Sequence, residues 1–373
     1  MREARTVEKL ENIHRQNRIK AVINSVAALI ISLILGAILL AVSGHSPLET
    51  YIAIFGVSLG TLRGFALALS QATPIMFTGM SFAIAYKVRM INTGAEGQLY
   101  AGAMAAALVG AYVRGLPSVL LIALCFLAAI VSGGLVAGFV AWLKVKFGAS
   151  EIILTLMLNT IVILFCHYLA NGPLRPEGSG LAQTEMIADG ARLTRLIPQT
   201  QLTTAIIIAI LVAVILQFIL DRTAFGYEVQ VAGYNLKAAQ TAGINVSSLY
   251  LKTFSLAGAV AGLGGAAMVL GVNFRFVEGF SPNFGFQGIA TAALAAYSPL
   301  GVVLSAFLIG VLRAGTITIN RTTNVPIEFV GVIQALIIIF VAAPALIRLI
   351  LSLPKKLADM KKLDALPSAK KGD

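Results

Sequence analysis

The chain has 373 residues, of which 58% are apolar and only 12% charged, with a mean hydropathy of +0.89 and a net charge of +12. Ordinary soluble domains carry about 25% charged residues and keep a large wet surface, so this composition excludes a soluble enzyme and describes an integral membrane protein. The basic excess is no nucleic-acid footprint, because the Lys and Arg residues share no face with aromatic stacking partners.

Met1 to Lys20 forms a charged, amphipathic N-tail. The apolar run that follows, Ala21 to Val42, is too long for the core of a cleaved signal and has no clear small-x-small site after it, so it is expected to be a retained first span. Further apolar runs fall at 65–86, 94–113, 118–142, 150–170, 201–220, 251–272, 285–297, 300–315 and 327–348. A helix needs about 20 residues to cross the hydrocarbon. The runs at 285–297 and 300–315 meet at Tyr297-Ser-Pro299 and read either as one bent hairpin or as two broken helices. Counted as two, they give about ten transmembrane helices in an all-α membrane protein, with a transmembrane body over 21–348. The stretch at 51–64 reads as a surface helix or as an extension of the second span. A lysine-rich tail, 349–373, closes the chain and is suited to touching anionic lipid.

The charges test this layout. Every lysine falls on one side of it: in the N-tail, at Lys87, Lys144, Lys146, Lys237 and Lys252, and in the C-tail. The other side holds only arginines, at 63, 114, 175, 192, 195, 275, 313 and 321. The positive-inside rule then places both termini in the cytoplasm. Asn171 to Thr200 becomes an outer loop and 221–250 a cytoplasmic one. Cys125 and Cys166 lie inside apolar runs and read as packing residues. His14, His45 and His167 are scattered, so neither a metal site nor a catalytic cluster is expected, and no phosphate-binding loop is present. Gly262-Leu-Gly264-Gly265 reads as close helix packing.

Two Gly-interrupted segments stand in corresponding places. Ile91-Asn-Thr-Gly-Ala-Glu-Gly-Gln98 opens the third span, and Phe280-Ser-Pro-Asn-Phe-Gly-Phe-Gln-Gly-Ile-Ala290 opens the eighth. Each follows a helix rich in small residues, and an offset of five spans puts them in opposite orientation. That pattern predicts an inverted-topology internal repeat with broken helices against a central pathway.

Polar residues inside a membrane are costly and so point to function. The candidates for pathway lining are Asn92, Glu96, Gln98, Asn159, Asn273, Phe274, Phe276 and Gln287. Glu96 has three readings: a cap in the first turn of a helix, a direct substrate contact, or a lock on a neighbouring helix. Glu151, just after Ser150, reads as the start of a helix. With no second deep acid, and no buried lysine or histidine beside Glu96, an ion-coupled carrier lacks its relay. In the 221–250 loop, Gly233 to Gly243 reads as a short helix capped by Asn235 and ended by Gly243, with Ala238, Ala239 and Ala242 on a small, dockable face.

Asn92-Thr-Gly-Ala-Glu-Gly-Gln98 resembles the signature of permease subunits of ATP-binding-cassette importers, in the branch that takes simple sugars, branched-chain amino acids and nucleosides. Glu151-Ile-Ile-Leu-Thr-Leu-Met-Leu-Asn159, Gly233–Gly243, Gly285–Ala290 and Pro299–Val302 are similar to the same subunits, and the Leu-Met-Leu-Asn piece favours the nucleoside and sugar types. The resemblance implies a multi-pass protein of the bacterial inner membrane that has no catalytic residues and binds no cofactor itself. It implies three partners: a cytoplasmic ATPase that uses ATP, a second permease subunit in a heterodimer, and an extracytoplasmic substrate-binding protein. The loop helix, with Tyr234, Asn235, Lys237, Ala238, Ala239, Ala242 and Gly243, then becomes the coupling helix of the ATPase. Lys237 stands where the family's Glu-Ala-Ala-x3-Gly motif has its glutamate, so an acid-mediated contact is not expected there. A nucleoside is the expected cargo. A simple sugar such as ribose or galactose is the alternative, and ion-coupled secondary transport the remoter one.

Overall fold

The computed structural model describes residues 30–322 together with 331, 332, 335 and 336. The N-tail, the C-tail and nearly all of the 327–348 run lie outside the described residues. The chain divides into two compact units, one formed by Met1–Pro47 with Glu328–Asp373 and one by Leu48–Ile327. The described part of the first unit is a helix, α1, over Ile30–Val42, whose Ser32 hydroxyl donates to the Leu336 carbonyl at 3.2 Å.

The second unit is helical throughout its regular structure: α2 (Pro47–Gly60), α3 (Leu62–Lys87), α4 (Ala95–Tyr112), α5 (Ser118–Phe147), α6 (Glu151–Asn171), α7 (Ala205–Arg222), α8 (Ala224–Tyr234), α9 (Leu236–Thr241), α10 (Val246–Met268), α11 (Phe284–Leu294) and α12 (Pro299–Thr322). Among the described residues six helices are long and apolar enough to cross a membrane: α3, α5, α6, α7, α12, and α10 with the π-helical turn Val269–Asn273 that extends it. Of the four other runs that the sequence offers, 21–42 is described only from Ile30 and 327–348 lies almost wholly outside the described residues, and the remaining two differ from a full apolar span. The third run is a full helix, α4, but its first turn carries Glu96 and Gln98. The eighth run is α11, whose 11 residues reach about 16 Å, roughly half the hydrocarbon thickness.

Two questions left open by the sequence close here. The stretch before the second span is a separate helix, α2, because Thr61 starts α3 anew: its side chain accepts from the Gly64 N–H at 3.0 Å. The 285–315 stretch is two helices, turned at Ala296 and Tyr297, whose φ angles of 48° and 58° are left-handed.

The unit has a buried centre and an apolar rim. α3 is buried along almost its whole length, and α10 along its second half. α5, α6 and α7 instead turn large apolar side chains outward, such as Leu135, Leu164 and Phe218. Close backbone approach makes the centre possible. A side chain on Gly258 would strike the Gly133 carbonyl of α5, and one on Gly102 of α4 would strike Gly262. The small-xxx-small pair Gly258 and Gly262 thus packs α10 onto α5 and α4, as the glycine-rich sequence predicts.

α3 and α10 anchor two hairpins of matching design. After α3 the chain turns at Lys87–Arg89, re-enters as residues 90–94, and starts α4. After α10 and its π-helical turn, the chain re-enters as residues 274–283 and starts α11. α4 then runs from this central level to Ile187 in the 172–204 loop, against which Gly110 packs. α11 runs the other way, ending where Tyr297 stacks on Tyr86 near Lys87 with ring centroids 3.8 Å apart. The two N-terminal ends point at each other and the helices diverge, which is the arrangement an inverted repeat predicts.

Candidate translocation site

The site lies where the two half-membrane helix starts meet. Phe284 and Gly285 open α11 directly against α4: a side chain at Gly285 would strike the Glu96 backbone, and one at Gly288 the Thr78 backbone of α3. Thr78 donates to the Phe284 carbonyl at 2.8 Å. Thr78 lies about 14 Å along α3 from Lys87, so the junction sits well inside the hydrocarbon.

Two helix N-termini facing each other bring together partial positive charge and unpaired N–H groups. Glu96 answers both. Its carboxylate accepts from the Gly285 N–H, while α4 itself has no side-chain cap from its N-cap residue Gly94. Of the three readings of Glu96, the geometry is that of a lock on a neighbouring helix: from the first turn of α4 the carboxylate caps the first turn of α11. The unpaired N–H of Gly97 on α4 is met from α6, where Asn159 Oδ1 accepts it.

Asn92 and Gln98 are fully buried and satisfy each other. Asn92 Nδ2 donates to Gln98 Oε1 at 2.8 Å and Gln98 Nε2 donates back at 2.9 Å. Asn92 Nδ2 also donates to Ser81 Oγ at 3.0 Å, and its oxygen accepts from the Gly94 N–H at 3.2 Å. The pair stitches the first re-entrant segment to α3 and α4.

The second segment is held differently. A strand-like stretch of the 172–204 loop runs beside it: Thr184 N–H donates to the Phe276 carbonyl at 3.0 Å, Ile187 N–H to the Phe274 carbonyl at 2.9 Å, and Glu278 N–H to the Ala182 carbonyl at 2.9 Å. Phe276 is buried and meets Tyr100 and Phe280 edge-on, and those two rings are tilted against each other. Asn273 and Phe274 are only partly buried and lie at the far end of this segment, where Arg192 and Arg195 pack over the Phe274 ring at 4.9 and 5.8 Å. His167, placed alone by the sequence, pairs with Glu278 at 3.2 Å. The structure therefore gathers Asn92, Glu96, Gln98, Asn159 and Gln287 around the junction, and leaves Asn273, Phe274 and Phe276 above it.

The sequence reading missed Arg313. Read from the sequence only as an outer-side charge, it comes from α12 to the edge of the junction: its Nε donates to Gln71 Oε1 at 3.3 Å and its guanidinium lies over the Phe284 ring at 4.9 Å. Gln287 Nε2 donates to the Pro282 carbonyl at 3.4 Å.

At the lysine-bearing end, Asn235 caps α9 by accepting from the Lys237 and Ala238 N–H groups, and Gly243 closes it with a φ of +81°, as expected. Tyr234, Lys237, Ala238 and Ala242 are exposed. Ala239 is not: it is fully buried and turns inward, so the outward face belongs to Ala238 and Ala242. α8, which the sequence did not predict, brings Gly233 against Lys87, and Arg89 Nε donates to the Gly233 carbonyl at 2.8 Å. Glu151 starts α6 and pairs with Lys144 at 2.6 Å.

A family described as branched-chain amino acid transport system / permease component matches residues 64–342, which include both hairpins. The chain belongs to this family. It is a multi-pass membrane transport subunit, a permease component of an ATP-binding-cassette importer. The guanosine ABC transporter permease protein NupP of Bacillus subtilis is 33% identical over 88% of this chain and 95% of its own. The glucose ABC transporter permease protein TsgB13 of Haloferax volcanii is 33% identical, covering 84% of this chain and 85% of its own. The nucleoside ABC transporter permease protein NupB of Lactococcus lactis is 30% identical over 90% of this chain and 94% of its own.

Proposed function

We propose that this permease forms the translocation path for a nucleoside handed over by an extracytoplasmic binding protein. It works in a bacterial inner membrane with both termini cytoplasmic, pairs with a second, similar permease subunit, and is driven by a cytoplasmic ATPase that uses ATP. One observation carries the reading: irregular backbone at Pro282–Asn283 is exposed beside the junction, at membrane depth. Such backbone is tolerated only against protein or a water-filled cavity, not against lipid. Two permease subunits facing across that cavity supply both. The relatives named for guanosine and for nucleosides favour a nucleoside. A simple sugar is the second reading, favoured by the relative named for glucose.

In this reading the ATPase grips α9 through Ala238, Ala242 and Tyr234. Displacement of α9 pulls the Gly233 corner, which is bonded to Arg89 at the foot of α3. Arg89 leads straight into the segment stitched by Asn92 and Gln98, and from there to Glu96 and α11. Asn92, Gln98 and Asn159 hold the wall in shape, Gln287 reaches the path, and Asn273, Phe274 and Phe276 belong to its outer mouth. The test is uptake of labelled guanosine and ribose by cells with and without the gene, with ATP depleted in parallel. Loss of ATP-dependent guanosine uptake on deletion is the expected result. Uptake that survives ATP depletion but collapses with the ion gradient would overturn the reading.

A further inference from the structure

An arginine inside a membrane span is expensive and points to function by default. Arg313 has no close ion pair among the described residues. Its guanidinium lies over the Phe284 ring at 4.9 Å, with Nε 3.3 Å from Gln71 Oε1 and a terminal nitrogen 3.4 Å from the Pro282 carbonyl. A guanidinium carries five N–H donors, and both of these bonds are long. Arg313 therefore holds donor capacity in reserve. Gln287, on the next turn of α11, donates its own Nε2 to the same Pro282 carbonyl, while its Oε1 is buried without a hydrogen-bond partner. A buried acceptor left unsatisfied costs about 1–3 kcal/mol. Two long donor bonds, one from the underused guanidinium and one from the amide that carries the orphan acceptor, thus meet at the Pro282 carbonyl of the exposed loop tip.

We propose that Arg313 and Gln287 form a recognition site for a neutral ligand that presents a carbonyl acceptor beside an N–H donor, the amide edge of an oxo-nucleobase. Arg313 donates to the carbonyl and Gln287 Oε1 accepts the N–H. Arg313 lies over Phe284, next to the Gly285 N–H that Glu96 accepts, so an anionic cargo such as a phosphorylated nucleoside would meet a carboxylate there as well as the cation. Gln71 holds the guanidinium in place from α3. This recognition rests on the nucleoside reading above and names the part of the nucleoside that the permease reads.

The test uses the complete transporter in proteoliposomes, with its ATPase and binding protein, and compares uptake of uridine, 3-methyluridine and ribose. Methylation at N3 removes the N–H and keeps the neighbouring carbonyl. Gln287→Met is expected to lower uridine uptake about tenfold and 3-methyluridine uptake far less, because a site built to bond an N–H gains nothing there from a ligand without one. Arg313→Lys is expected to lower both nucleosides by a similar factor, since both keep the carbonyl. If Gln287→Met does not assemble with its partners, Gln287→Asn draws the acceptor back by one methylene and gives the same comparison. Equal loss for both nucleosides, or no loss, in complexes that assemble normally would overturn the edge recognition and leave the nucleoside reading standing. A wild-type complex that moves ribose and neither nucleoside would overturn both.

Discussion

The two re-entrant segments reach the same depth and are held by opposite means. Residues 90–94 are held by side chains close in sequence: Asn92, Gln98 and Ser81 bond one another. Residues 274–283 are held by backbone bonds to a loop some ninety residues away, with Thr184 as the main side-chain contribution through its Oγ1, which accepts from the Phe276 N–H at 3.1 Å. The first segment is sensitive to point changes in polar side chains. The second tolerates them but depends on the loop and on the space at Gly285 and Gly288. Glu96 joins the two, which is why one carboxylate can be structural for both hairpins.

The largest effect is expected where that joint has no room. Gly285→Val places a branched side chain into the Glu96 backbone, so the subunit should fail to assemble, read as loss of co-purification with the ATPase. At Glu96 the order of variants is informative. Glu96→Gln keeps an acceptor for the Gly285 N–H and should assemble nearly as wild type. Glu96→Ala leaves that N–H unsatisfied, at about 1–3 kcal/mol, and should lower the melting temperature of the purified complex clearly more. Equal melting of the two variants would remove the cap. Next come the docking variants. Ala238→Trp, on the exposed face of α9, should abolish uptake in a normally inserted subunit, whereas Ala239→Trp should destabilise the subunit itself because that position is buried. Arg89→Ala should leave ATP hydrolysis running while uptake falls about tenfold; parallel loss of both activities would rule out a purely transmitting role for the Gly233 bond. A local loss of about 1–3 kcal/mol is expected from Thr184→Val, read as melting temperature, since it removes the acceptor of the buried Phe276 N–H and a bond to the Glu185 carbonyl while the backbone bonds remain.

Much of this was legible in the residues. Asn92, Glu96, Gln98 and Asn159 stand out because polar side chains in apolar runs need partners, and the structure supplies them. The sequence could not say that the partners would be one another, since bonds of Gly97 with Asn159 and of Gly285 with Glu96 join positions far apart in the chain. Arg313 was missed for a related reason. Late in an apolar run, an arginine looks like an outer flanking charge, and only the packing of α12 on α3 brings it beside Gln71. The inward turn of Ala239 was equally invisible, because three alanines on a short helix do not reveal which one faces the body. The half-length of α11 could be suspected from Pro282 and Gly285, but its end needed the left-handed turn at Ala296 and Tyr297.

The proposed cargo path runs past the tip of the second re-entrant segment. Its most direct test is thiol labelling of Asn283→Cys in the reconstituted complex with a small, charged, water-soluble reagent. Lipid-facing Leu135→Cys serves as the control, and the native Cys125 and Cys166 are buried. The account predicts that Asn283→Cys is labelled from the aqueous phase, that added nucleoside slows the labelling, and that Leu135→Cys stays unlabelled. An Asn283→Cys as inert as Leu135→Cys, in a complex that still transports, would contradict it.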